Sequence, residues 1–151
     1  MSTSISTIYD NLFTLVETLF PTKTELPDPY NIEANPSIIL KDGYGVAWND
    51  GDVNDELAGR AYAEERNLSI IFTGRIARLD TNTSARRVVE KSLLESRRSL
   101  INQIKKNSPS LKGAEYFEFV SDEGILSVND EKQNIIYLKI NFAIRYSEVV
   151  S

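Results

Sequence analysis

The segment from Asn134 to Tyr146 alternates between two kinds of side chain. Every second position holds a large apolar residue: Ile136, Leu138, Ile140, Phe142, Ile144 and Tyr146. Lys139, Asn141 and Arg145 occupy positions between them. A period of two places the apolar residues on one face of a β-strand. The pattern therefore predicts a strand with one face against the core and the other face polar.

A second long strand is predicted from Tyr62 to Ile76. Its even positions are charged at first and become apolar from Leu68 onward. We expect the apolar half to lie over the core and the charged half to project beyond it as an arm. A further strand is predicted at Tyr116–Val120, with a turn at Asp122-Glu123-Gly124 after it.

A hairpin is predicted in the region before the arm. Ser37–Lys41 is a short β-type run, Asp42-Gly43 is a turn pair, and Tyr44–Trp48 is the returning strand. Asn49–Asp52 is predicted as a second turn. These assignments place both glycines of Gly43-Tyr44-Gly45 near a hairpin turn. The same residues begin like a dinucleotide-binding fingerprint, but Trp48 stands where that motif needs its third glycine, so this interpretation is disfavoured.

Two helices complete the prediction. The first covers Ser4 to Phe20, with a capping box at Thr7 and Asp10 and a stop at Pro21. An extended connection is expected over 21–36. The second helix covers Asp80 to Asn107. Its apolar stripe consists of Ala85, Val89, Leu93, Leu100 and Ile104.

The order of these elements is α-β-β-β-α-β-β. Strands and helices occur in runs without strict alternation, which favours an α+β fold. We therefore predict a mostly antiparallel sheet with a protruding hairpin arm, packed against two helices. A length of 151 residues suits a single domain over 1–151.

The composition excludes most catalytic chemistry. The chain contains no cysteine and no histidine, which removes disulfides, thiolate nucleophiles, Cys/His zinc sites and histidine general bases. No pair stands out among the 22 acidic residues for acid–base catalysis. We therefore expect no enzyme activity, no cofactor and no metal.

The net charge of −5 disfavours non-specific binding to DNA and to anionic membranes. No apolar run approaches the roughly 18 residues that span a bilayer, and the first residues lack a cationic signal-peptide region. We expect a soluble protein with no conventional secretion signal and no membrane partner.

An acidic segment covers Asp50 to Glu56. Its spacing begins like a calcium loop, but Asp55 stands where the sharp turn needs glycine and Ala61 stands where a closing glutamate is needed. A solvated acidic tip is the favoured interpretation. A magnesium-dependent enzyme using Asp50, Asp52 and Asp55 remains an alternative.

The basic residues are concentrated in Arg75–Lys112, which has ten basic and three acidic residues, a net charge of +7. The rest of the chain then carries −12. A DNA-binding module using the basic helix over 80–107 is one alternative, with Arg86, Arg87, Arg97 and Arg98 as contacts, but this stretch has no aromatic residue for base stacking. A basic helix face that meets the acidic surface of a neighbouring subunit is favoured.

Four segments carry a resemblance to a known family. They are the Ile5–Phe20 helix that closes on Pro21, the Asn67–Phe72 strand, the Val88–Ile104 helix, and Val120–Gly124 leading to the 135–146 strand. This order resembles the tail terminator (tail completion) proteins of long-tailed bacteriophages, over nearly the whole chain. Another neck or head-completion protein, a connector or stopper, is the alternative.

The resemblance implies a structural virion protein of the tail or neck, assembled in the host cytoplasm. It implies a homo-hexameric ring that caps the tail tube, stops its polymerisation and docks the tail to the head. The implied partners are the tail tube protein and the head–tail connector or stopper protein, with a sheath protein left open; DNA would only pass through the lumen. Charge and position, in turn, suggest the interface residues: Asp50, Asp52, Asp55, Glu56, Arg86, Arg87, Arg97 and Arg98.

Overall fold

The computed structural model describes residues 4–36, 38–56, 61–76, 83–106, 111–128 and 134–149. The fold is α+β, as predicted, with two helices and a five-stranded sheet. The elements are α1 (Ile5–Leu19), β1 (Thr24–Glu25), β2 (Asp42–Glu56), β3 (Ala61–Arg75), α2 (Thr83–Lys106), β4 (Tyr116–Ser127) and β5 (Ile135–Val149). Two short 3₁₀ helices, Ile32–Ala34 and Ile39–Lys41, precede β2.

The strands follow the order β1-β2-β3-β5-β4 across the sheet. Only the short pair β1-β2 is parallel, and the other three pairs are antiparallel. The central pair β3-β5 runs in continuous register from Ala61 opposite Val149 to Arg75 opposite Ile135. The predicted arm therefore has β2 on one side of β3 and β5 on the other.

The main core lies between one face of the sheet and the two helices. The apolar face predicted for the last strand is confirmed, since Ile136 through Tyr146 at even positions are all buried. The opposite face is polar only in part, because Ile135 and Ala143 are buried there and Ile135 belongs to a second cluster. Phe142 is enclosed by Phe117, stacked at 5.0 Å between ring centroids, and by Phe119 at 6.2 Å. These residues belong to one cluster with Leu12 of α1 and Leu100 of α2. Both helices therefore cover the same face.

Gly74 explains how closely α2 approaches the sheet. A Cβ atom added at Gly74 would stand 2.5 Å from Cγ1 of Val89. Contact this short requires a residue without a side chain on β3.

None of the described helices is long and apolar enough to cross a membrane.

The N-terminus of α1 differs from the prediction. Ser4 is the N-cap residue, and its side chain accepts a hydrogen bond from the backbone N–H of Thr7 at 3.3 Å. Thr7 already lies inside the helix, so the predicted Thr7–Asp10 capping box is wrong. The helix ends before Pro21, as predicted.

The hairpin predicted between Ser37 and Trp48 is also wrong. Residues 39–41 form a 3₁₀ helix, and Asp42-Gly43 already belongs to β2. Gly43 and Gly45 make room for the segment that crosses this face of the sheet. A Cβ at Gly43 would stand 2.9 Å from Cδ2 of Leu26, and a Cβ at Gly45 would stand 2.8 Å from Cβ of Pro29. The close packing of this connection therefore requires glycine at both positions. Neither glycine lies in a turn, because both belong to β2.

Two predicted turns are bulges within continuous strands. Trp48 lies opposite Leu68 and Gly51 lies opposite Arg66, so two residues of β2 face one of β3. Asn49–Asp52 is thus part of the strand. The same displacement occurs in β4, where Gly124 has a φ of 74°. At Gly124 the positive φ favours glycine, as it would in a turn. Residues 49–52 have no positive φ, and a Cβ at Gly51 would instead stand 2.5 Å from Oε1 of Glu64.

Candidate assembly interface

Helix α2 carries seven basic and two acidic residues. Arg86, Arg87 and Arg98, three of the residues predicted for an interface, are exposed on it. Two of them have neighbours on the same helix: Arg86 Nε lies 3.0 Å from Glu90 Oε1, and Arg98 Nη1 lies 3.9 Å from Glu95 Oε2. Exposed pairs of this kind contribute only about 0 to 1 kcal/mol each. The helix therefore presents a cationic surface to solvent.

Arg97 has a different position from the other three arginines. Its Nε lies 2.8 Å from Oδ2 of Asp122, and its guanidinium lies 5.0 Å from the centre of the Phe119 ring. Both partners belong to β4 of the same chain. Arg97 therefore contributes to packing within the subunit.

A stripe of basic and apolar residues runs along the outer surface of α2. It comprises Arg87, Lys91, Leu94, Arg98, Ile101 and Lys105, at steps of four and three residues. Such steps place all six on one side of a helix. Leu94 is 49% exposed although it is apolar. We call this set the α2 stripe; it combines four positive charges with apolar contact area.

The predicted acidic residues lie on β2. Asp50 and Asp52 are exposed, and Asp52 is directly opposite Glu65 of β3. The backbone of Asp55 and Glu56 belongs to β2, while their side chains are outside the described part of the structure. Neighbouring like charges make this end of the sheet strongly negative.

The two groups of predicted residues lie on different flanks of the subunit. Helix α2 packs against β3, β4 and β5, whereas β2 lies on the far side of β3. The structure thus brings the four arginines onto one helix and the acidic residues onto another element. A head-to-tail contact between copies would require this separation.

An ion pair and several hydrogen bonds connect side chains within the charged end of the sheet. Arg66 Nη2 lies 2.5 Å from Glu64 Oε1, and Arg66 Nη1 donates to the carbonyl of Asn49 at 2.7 Å. The hydroxyl of Tyr62 donates to Glu148 at 2.5 Å, and this hydrogen bond raises the pKa of Tyr62. These contacts hold β2, β3 and β5 together where the apolar core ends.

Burial raises the pKa of Tyr146 to about 12. The pKa of Tyr116 is also raised to about 12, first by burial and then by its hydrogen bond with Glu65. Both phenols therefore stay protonated at neutral pH. They serve the sheet as neutral polar groups and do not act as bases there.

The described residues contain no group of three or more histidine, cysteine, aspartate or glutamate side chains that could hold a metal ion. Asp50 instead accepts a long hydrogen bond from Asn67 Nδ2 at 3.4 Å.

An aromatic cluster that the sequence patterns did not indicate lies beside β2. The rings of Tyr9 and Trp48 stack with centroids 5.5 Å apart, and Tyr9 contacts Phe13 at 4.7 Å. The hydroxyl of Tyr30 accepts a hydrogen bond from the backbone N–H of Trp48 at 3.1 Å. Tyr9 is 44% exposed and Tyr30 is 66% exposed. We call these four residues the aromatic patch.

The sequence contained one signal for this patch. Tyr9 and Phe13 are four residues apart on a helix and so share a side. Trp48 and Tyr30 come from segments that only the folded chain brings to α1.

Strand β4 forms one edge of the sheet, and β1 covers only Gly43 and Tyr44 of β2. Both β2 and β4 contain two irregularities of register. Bulges in edge strands interrupt the ladder that a neighbouring chain would extend. These edges are therefore poor templates for extension of the sheet by another chain.

No protein-family model and no curated protein matches the chain. Among solved structures, the chain is similar to one from the virion of a native gene transfer agent particle, with 17% sequence identity and a TM-score of 0.41. The match covers 93% of this chain and 91% of that chain. Similarity at this level carries no argument about function.

Proposed function

We propose that this protein is a structural subunit of a phage-like virion that works by assembling into a ring. The observation that carries the proposal is the separation of charge within one subunit. Helix α2 presents its basic residues on one flank, while β2 contains five acidic residues and no basic residue on the other. Surfaces of opposite sign on different flanks attract the next copy and set its orientation.

Such a contact is heterologous, because each copy uses two different surfaces. Heterologous contacts generate a ring when the rotation closes. A homo-hexamer is the closed form proposed here. The proposed interface residues are Arg86, Arg87 and Arg98 on one copy and Asp50, Asp52, Asp55 and Glu56 on the next.

The specific role we propose is that of a tail terminator. The order of elements supports it, since an α-β-β-β-α-β-β chain with a basic second helix is the pattern that resembles this family. The ring would cap the tail tube, stop its polymerisation and dock to the head connector or stopper. An acidic lumen would let DNA pass without binding.

Charge pairing alone should give weak association. Exposed pairs contribute about 0 to 1 kcal/mol each, and salt screens them beyond roughly 8 Å at physiological ionic strength. We therefore expect the free subunit to be monomeric or loosely associated, and the stable ring to form on the end of a tail tube.

The test is a capping assay with the tail tube protein encoded in the same genome. Light scattering and electron microscopy would follow tube length with and without the subunit, at low and high salt. We expect short tubes that end in a ring. Arg87→Glu combined with Arg98→Glu should abolish capping, and reversal of Asp50 and Asp52 to lysine should partly restore it.

Arg97→Lys serves as the control, since Arg97 contacts its own β4. Unchanged tube length with the wild-type subunit would contradict the terminator role. Salt-sensitive binding to duplex DNA without any effect on tubes would favour the DNA-binding alternative.

A further inference from the structure

We infer that the aromatic patch is the surface on which the α2 stripe of a second copy docks. This inference rests on the proposed assembly and goes beyond it, because it moves the centre of the contact from the acidic end of β2 to Tyr9, Tyr30 and Trp48.

The aromatic patch is held in place before any partner arrives. Tyr9 is stacked on Trp48 and contacts Phe13, and the hydroxyl of Tyr30 is bonded to the backbone of Trp48. Little side-chain freedom remains to be lost when such rings are covered. Tyrosine and tryptophan are also the residues most enriched at the energetic centres of interfaces.

The surroundings of the patch are acidic. Helix α1 and strand β2, which supply three of the four aromatic residues, together contain seven acidic residues and no basic residue. Asp10 is exposed directly after Tyr9, and Asp50 is exposed two residues after Trp48. Asp42 is already paired with Lys23, and Arg66 beside Asn49 is paired with Glu64. A partner with a cationic margin therefore complements the remaining exposed acidic side chains.

The α2 stripe has such a margin. Leu94 is half-exposed between Lys91 and Arg98, so an apolar side chain lies between two cations. Covering aromatic rings with leucine buries apolar surface, which stabilises the contact. Lysine and arginine are attracted both to acidic neighbours and to the faces of tyrosine and tryptophan rings. The stripe thus matches the patch in both character and sign.

The occupant is a second copy because both surfaces belong to every copy. Within one chain, α1 and α2 lie on the same face of the sheet and contact each other through their buried sides. Tyr9 and Leu94 nevertheless both remain exposed, at 44% and 49%, so neither side chain is covered within the subunit. A docked second copy leaves its own patch free for a third, which is how a ring grows.

The chain has no cysteine, so the test uses introduced cysteines. Tyr9→Cys and Leu94→Cys would be purified separately, with tags of different size, and mixed under oxidising conditions at low salt. We expect the mixed disulfide dimer to dominate over both homodimers. The matched control mixes Leu94→Cys with Val120→Cys, since Val120 is 58% exposed on β4, at the other edge of the sheet.

Intrinsic fluorescence provides a second measurement, because Trp48 is the only tryptophan of the chain. Wild-type emission should change with protein concentration as the patch becomes covered. Tyr9→Ala should weaken this association on the order of tenfold or more. Thr18→Ala, at an exposed position of the same helix, should leave it unchanged, and circular dichroism would verify that both variants fold.

The outcomes separate this inference from the proposed function. If the wild-type protein forms rings but the mixed dimer does not exceed the Val120 control, the docking surface is elsewhere and the inference is wrong. Dominant Tyr9→Cys homodimers would indicate a symmetric contact and also overturn it. Formation of the mixed dimer without any ring on tail tubes would support the docking surface and contradict the terminator role. Absence of crosslinking both in free solution and on capped tail tubes would overturn this inference, while the capping assay tests the terminator role independently.

Discussion

The guanidinium of Arg97 and the carboxylate of Asp122 lie 2.8 Å apart and join α2 to the edge strand β4. The two side chains are 31% and 26% exposed, so solvent screens the pair only in part. The ring of Phe119 lies under the same guanidinium. This contact stabilises the placement of the basic helix on the sheet.

Replacing Arg97 should therefore lower stability, unlike replacing its neighbour on the helix. Arg97→Ala loses the ion pair and the cation–π contact, and should cost about 1 to 2 kcal/mol in the free energy of unfolding. Arg98→Ala removes a 72% exposed side chain and should change stability by less than about 0.5 kcal/mol. Urea unfolding would measure both. Equal losses in the two variants would contradict the internal role of Arg97.

Phe142 should be among the residues on which the fold depends most. It is 1% exposed and packs between Phe117 and Phe119. Phe142→Ala should cost about 3 to 5 kcal/mol, because it removes a buried ring and leaves a cavity. Lys139→Ala, on the opposite face of the same strand, should be nearly neutral. Thermal unfolding would measure the stability of both variants. A larger loss for Lys139→Ala than for Phe142→Ala would show that the register of β5 is wrong.

The contact between Gly74 and Val89 can be tested with a double-mutant cycle. Gly74→Ala should destabilise the protein by about 1 to 3 kcal/mol, since the new Cβ overlaps Cγ1 of Val89. Val89→Ala removes that atom and should make the Gly74→Ala change less costly. A coupling energy near zero between the two substitutions would show that the helix simply shifts away from the sheet.

Alkaline pH should destabilise the protein in a defined range. The pKa of Tyr146 rises from 10.0 to about 12 on folding. Between these values the unfolded chain loses the proton and the folded chain keeps it. This contribution to stability is complete below pH 10 and is lost as the pH rises through 12.

The Tyr146→Phe variant separates this residue from the other tyrosines. Each such group contributes a slope of at most about 1.4 kcal/mol per pH unit in this range. Urea unfolding between pH 9 and pH 11.5 should therefore show a shallower decline in the variant than in the wild-type protein. Parallel curves would mean that Tyr146 ionises normally in the folded state.

Periodic segments could be predicted from the sequence alone. The alternation along 134–146 defined both the strand and its buried face, and the change of character at Leu68 showed where β3 meets the core. The spacing of Leu93, Leu100 and Ile104 likewise defined the buried side of α2. These features are local, because a residue's face follows from its own position within a repeating backbone.

Tertiary structure decided what depends on a partner far along the chain. Residues 49–52 and 122–124 have turn composition, yet each remains in a strand because the opposing strand continues past it and a bulge absorbs the extra residue. Arg97 stands four residues after Leu93 and three before Leu100, beside the buried stripe of α2, whereas Arg98 does not. Only the position of β4 supplies Asp122 and Phe119 as the partners of Arg97. Tyr9, Tyr30 and Trp48 come together because α1 and the connection over 21–36 both pack beside β2. Pairing register and packing between distant segments follow from the free energy of the whole fold, which no local pattern contains.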